Sequence, residues 1–182
     1  MSNEANVIAQ TKKWINNVVI GCNFCPFASN VVKKNKVHYE VEESPAAADC
    51  LKSALRLIEK LDKDRGIETA FLIMRDACSD FAVYLKLVSD LEWQMVKKGY
   101  NGIYQVASFH PLYQFAGSAE NDAANYTNRS IYPMLHILRE LSIDTALKNY
   151  HQPESIPETN INFARNKGLT YMKMLRDGCF NS

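Results

Sequence analysis

Thr69-Ala70-Phe71-Leu72-Ile73-Met74 is almost wholly apolar, bracketed by Glu68 on one side and Arg75-Asp76 on the other. A run of that length without polar alternation fits a strand covered on both faces, as in a sheet sandwiched by helices. Outward from it, both flanks carry helical patterning. Upstream, Leu51, Ala54, Leu55, Ile58 and Leu61 recur on one face, with Ser44 as the expected cap and Pro45 at the first helical position. Downstream, Ser79 or Asp80 caps a helix whose expected buried stripe is Phe81, Tyr84, Leu85, Val88, Leu91 and Met95. Lys97 and Lys98 in the last turn and Gly99 close it.

Beyond these helices lie two more strand patterns. Val37 to Glu43 alternates Val37, Tyr39 and Val41 against His38, Glu40 and Glu42, and Ile103 to Phe109 runs into His110-Pro111. A helix over Ala5 to Ile20, stopped by Gly21, precedes the first strand. Helices follow the third: Pro133 to Leu141, a short one from Ser142 to Asn149, and a last one from Glu158 to Arg176 weakened at Gly168. The expected architecture is α/β: a small three-stranded parallel sheet in αβαβαβ order with additional C-terminal helices, all in one domain spanning 1–182. An antiparallel, ferredoxin-like α+β arrangement stays open. In the parallel case the strand ends at Glu43, Arg75-Asp76 and Phe109-His110 share the edge where ligands usually bind.

Composition narrows the function classes. The 182 residues are 47% hydrophobic and 23% charged, with a formal net charge of +1. That balance suits a globular core and gives no basic footprint for nucleic acid. No apolar run reaches the length of a membrane span, and the N-terminus lacks a hydrophobic signal core, so a cytoplasmic protein is expected. Five cysteines, Cys22, Cys25, Cys50, Cys78 and Cys179, are an odd number and fit reduced thiols better than a disulfide framework.

The chemistry-bearing side chains concentrate between Ala107 and Arg139, ASFHPLYQFAGSAENDAANYTNRSIYPMLHILR. Multi-donor groups here alternate with aromatics at almost no net charge, the mixture of a small-molecule site. Together with Trp14, Val18-Val19-Ile20-Gly21, Cys25-Pro26-Phe27-Ala28 and Ser142-Ile143-Asp144, the strings QVASFHP, YQFAG and ANYTNRS closely resemble the bacterial and plastid family designated DUF1415, a domain of unknown function. The resemblance covers nearly the whole chain. It implies no mechanism, because the family carries no assigned activity. It also implies that Cys22 stands where the family has another residue, so the C-x-x-C of Cys22 and Cys25 is incidental.

Two functional hypotheses follow. In the first, an enzyme uses Cys25, His110 or His136 as catalytic groups on a small anionic substrate; a cysteine nucleophile needs an imidazole, a cation or a helix N-terminus beside it. In the second, a non-catalytic module binds an anionic metabolite or nucleotide. Its ligand-binding residues would be Tyr113, Gln114, Asn125, Tyr126, Asn128, Arg129 and Arg139, with Arg129 as anion anchor and His136, Arg139 and Glu140 sharing one helix face. A metal site from His110, His136, Cys25 and Asp122 ranks third, since no short-range ligand spacing supports it. The residues name no cofactor and leave the oligomeric state open.

Overall fold

A computed structural model describes residues 3–148 and 150–180. Its framework is a four-stranded mixed sheet in the order β1-β2-β4-β3. The strands are β1 (Val37–Glu42), β2 (Thr69–Met74), β3 (Tyr104–Phe109) and β4 (Met134–Arg139). β1 pairs with β2 in parallel, and β4 runs antiparallel to both β2 and β3. β1, β2 and β3 therefore point the same way, as expected, and their carboxyl ends share one edge. The expected sheet is nonetheless corrected: β3 does not pair with the other two, because β4 is inserted between β2 and β3.

The inserted strand is the segment read from sequence as a helix from Pro133. Its residues Leu135 and Ile137 face one side of the sheet, and Met134 and His136 the other. With both faces covered, period-two alternation disappears. The leucines at 135, 138 and 141 then mimic helical spacing. The expected common face of His136, Arg139 and Glu140 also dissolves, because residues three apart on a strand point to opposite sides. Helix α5 (Glu140–Leu147) begins only where β4 stops; the expected end at Asn149 lies outside the described residues.

Helices α3 (Ala47–Lys63) and α4 (Phe81–Lys97) cover the first face of the sheet. α3 begins two residues later than Pro45 at the first position would require: Ser44 Oγ accepts from Ala46 N–H and donates to Asp49. Asp80, not Ser79, caps α4 by accepting from Ala82 and Val83 N–H at 2.8 and 3.0 Å. Ala54, Leu57, Ile58 and Leu61 of α3 pack with Tyr84, Leu87 and Leu91 of α4 over Ala70, Leu72 and Met74. Leu85 does not join them; it is 46% exposed.

The second face is covered by α1 (Asn3–Trp14), the wider π-helical turn Ile15–Ile20, and the C-terminal pair α6 (Ile156–Lys167) and α7 (Leu169–Asp177). A short α2 (Ala28–Lys33) lies between the π-helical turn and β1. Gly21 ends the π-helical turn because a Cβ there would collide with the Asn17 carbonyl oxygen. Gly168, at φ +83°, separates α6 from α7, so the expected weakening is a true break.

Candidate functional site

Residues 110–133 carry the chain from the end of β3 back to the start of β4, and a short 3-10 turn, Ala123–Thr127, lies within them. Asn125 organises this excursion. Its Oδ1 accepts from Phe115 N–H at 3.1 Å and Ser118 Oγ–H at 2.8 Å, while Nδ2 donates to the Ala119 and Glu120 carbonyls. All of this hydrogen bonding is spent inside the loop, and Asn125 is fully buried. Asn128 Nδ2 donates to the Ser108 carbonyl, tying the return segment to β3, and Gln114 Nε2 donates to the Ser118 carbonyl.

His110 is sealed. Leu112 N–H donates to Nδ1 at 3.0 Å, so the proton sits on Nε2 and is donated to the Cys78 carbonyl at 2.9 Å. The ring packs between Phe81 and Tyr84, and burial lowers its pKa. Both nitrogens are committed to backbone, which fixes the turn at Pro111 and leaves no free base. His136 behaves similarly on the other face. Thr69 Oγ1 donates to the Ile137 carbonyl and so accepts from His136 Nε2–H at 2.6 Å. The imidazole stacks on Phe71 at 3.9 Å, and burial pushes its pKa down to about 3.

Arg139, at the end of β4, points into the first face. Nε donates to the Ile67 carbonyl and Nη1 to the Tyr104 hydroxyl, and Nη2 reaches the Leu61 and Asp64 carbonyls. It fastens the end of α3 and the following turn to the sheet.

Arg129 is bound differently. Nε donates to the Tyr113 carbonyl at 2.8 Å and Nη2 to the Glu120 carbonyl at 2.9 Å, bridging two parts of the loop. Its guanidinium lies 5.1 Å from the Tyr126 ring centre, and Arg176 of α7 stands 5.3 Å from the same ring. Arg176 pairs with Asp177 and donates to the Pro111 carbonyl. Among the described residues Arg129 has no carboxylate partner. It lines an open cavity of about 390 Å³ with Glu120, Asn121, Tyr126, Leu169 and Lys173. Tyr113 contributes only its carbonyl, its ring packing against Phe81 and Phe115.

Cys25 occupies a different, smaller cavity of about 120 Å³ with Phe24, Phe109, Thr127, Asn128 and Asn160. Neither His110 nor His136 lines it. Burial raises the Cys25 thiol pKa, offset in part by hydrogen bonds from the Phe27 and Ala28 backbone. The structure thus separates the sequence candidates into three groups: internal fasteners (Asn125, His110, His136, Arg139), the Tyr126–Arg129 cavity, and the Cys25–Asn128 cavity.

A family model described as a protein of unknown function, DUF1415, matches residues 6–174. The chain belongs to this family. In this DUF1415 chain the matched region takes in both cavities and all the sequence candidates. No curated protein and no solved structure matches it.

The residues of the larger cavity that the sequence did not place among the ligand-binding candidates are Glu120, Asn121, Leu169 and Lys173. Leu169 and Lys173 stand one turn apart on α7, a spacing that gives them a shared face but not what they face. A second pair was also passed over. The Cys50 and Cys78 thiols lie within hydrogen-bonding reach in the first-face core, and the neighbouring Cys78 sulfur, with burial, pushes Cys50 up. Among the described residues no group of three or more His, Cys, Asp or Glu side chains could hold a metal ion, and no helix is long and apolar enough to cross a membrane.

Proposed function

We propose that this chain is a binding module for a small anionic molecule, held in the cavity between the 113–129 loop and α7. The observation that carries the reading is Arg129. Arg129 is only 9% exposed, its guanidinium is hydrogen-bonded to two carbonyls, and among the described residues it forms no ion pair, although Glu120 lines the same cavity; it is a buried positive charge without a paired counterion. Such a charge is costly unless something outside the chain neutralises it. The fork is already oriented by the Tyr113 and Glu120 carbonyls, so little side-chain entropy is lost on binding. Lys173 adds a second cation at the rim, Tyr126 a flat surface and Asn121 an amide. Carboxylate or phosphate groups suit this set equally well.

The test is thermal unfolding of the full chain with inorganic phosphate, a tricarboxylate and a nucleoside monophosphate as probes. At least one should raise the midpoint by about 3 °C or more at saturating concentration. Lys173→Glu, an exposed substitution on α7 that also loses the Asp177 pair, should remove that rise while lowering the midpoint of the free protein by no more than about 2–4 °C. No shift with any probe, or an equal shift in Lys173→Glu, would overturn the proposal. Cys25 chemistry is the weaker reading, because its thiol is raised and its cavity holds no imidazole.

A further inference from the structure

The outward face of α4 should be polar, and it is not. Leu85, Trp93 and Val96 are 46, 55 and 61% exposed. On a helix of 3.6 residues per turn, Ser89 stands diametrically away from the buried Leu87 and Leu91. Ala82 and Val96 lie about 20° to either side of Ser89, Leu85 and Trp93 about 40°, and Lys86 and Glu92 about 60°. The apolar groups thus form a stripe along the outermost line of the helix, where a solvated helix carries charge. Within the chain α4 packs chiefly on α3 and the sheet, on its opposite side.

The order of residues along this stripe is symmetric about Ser89. Reversal about that point exchanges Ala82 with Val96, Leu85 with Trp93, and Lys86 with Glu92. The geometry points to a second copy of this chain as the occupant, docked α4 against antiparallel α4 about a two-fold axis at Ser89. In that arrangement each Leu85 comes level with Trp93 of the other copy, and the small Ser89 side chains meet at the axis and allow close approach. Lys86 of each copy lies on the same flank of the seam as Asp90 of the other and within one turn of it, so cations meet carboxylates there, while Glu92 lies on the opposite flank. Within one chain Lys86 already pairs with Asp90 at 2.9 Å, which keeps this flank near neutral and removes repulsion between copies. Lys97 sits 3.6 Å from the Trp93 ring centre and covers one side of the indole, leaving the stripe side for contact. A single pair of helices buries less than a standard obligate interface, so the dimer is a reversible one in the micromolar range.

Sedimentation velocity from about 1 µM to about 1 mM tests this directly. The full chain should move from monomer to dimer across that range. Trp93 emission should shift to the blue over the same interval, since Trp14 is already buried. Trp93→Glu should weaken association at least tenfold, the size of a lost central aromatic anchor. Lys86→Glu should also weaken it, and adding Asp90→Lys in the same chain should restore it. A protein that stays monomeric at every concentration overturns the proposal. So does a dimer that Trp93→Glu leaves intact, or a charge reversal that the compensating lysine does not rescue.

Discussion

Arg129 and Arg139 are each 9% exposed, and both end in hydrogen bonds to backbone carbonyls, yet they do opposite things. Arg139 is enclosed on the α3 side of the sheet, where three carbonyls and the Tyr104 hydroxyl surround its guanidinium. Four of its five N–H groups are answered from inside the chain. Arg129 meets two carbonyls on one edge and an open cavity beyond them. Burial alone therefore does not distinguish an arginine enclosed by the fold from one that faces a cavity. The completeness of its hydrogen bonding does.

The sharpest way to break this contrast is to remove each guanidinium in turn. Arg139→Met should cost about 3–5 kcal/mol in urea unfolding, because it strands several buried carbonyls. Arg129→Met should cost about 1–2 kcal/mol and abolish the anion-induced thermal shift. Equal losses would erase the distinction.

His136, on the same strand as Arg139, gives an intermediate effect through pH. Its pKa of about 3 in the folded chain lies below the ordinary histidine value, so between about pH 6.5 and pH 3 the unfolded chain binds the extra proton and the folded one does not. Stability contributed by the neutral ring is full well above pH 6.5 and falls with acidification, by about 3 kcal/mol at pH 4. His136→Phe, which keeps the stack on Phe71, should flatten that part of the pH–stability curve. An unchanged slope would show that the ring does not stay neutral in the fold.

The smallest effect is expected at Lys173. Lys173→Ala should move stability by no more than about 0.5 kcal/mol while reducing anion affinity, since its ion pair with Asp177 is an exposed i,i+4 pair on α7. A large stability loss there would make Lys173 a fastener like Arg139.

The sequence disclosed some of this and withheld the rest for physical reasons. β2 could be read residue by residue because TAFLIM is bounded by charges and flanked by two amphipathic helices. β4 sits beside it, less completely buried at His136 and Leu138, and reads as a helix. Pro133 and the leucine spacing imitate one, and only pairing with Phe71 and Ala107 settles the conformation. In the site, Tyr126 and Arg129 stood out as unusual types in an unusual order. Asn125 and Asn128 stood out for the same reason, but their amides are occupied by the loop backbone and by β3. Lys173 and Leu169 reach the cavity only through the packing of α7, a relation no local pattern encodes. Leu85 shows the converse: helical spacing places it in the buried stripe, yet it faces outward beside Trp93 and Val96.

The insertion of β4 has a consequence for how the sheet comes into being. As the chain emerges from the ribosome, β1 and β2 can pair once residue 74 is available, joined by α3. β3 arrives next with no strand beside it to receive its hydrogen bonds, and must wait for the following thirty residues, the whole cavity-forming loop included. Only when Met134 to Arg139 slides between them do the two halves become one sheet. Closure of that long loop is thus coupled to the last step of sheet assembly, and the Arg129 cavity cannot mature before the framework does.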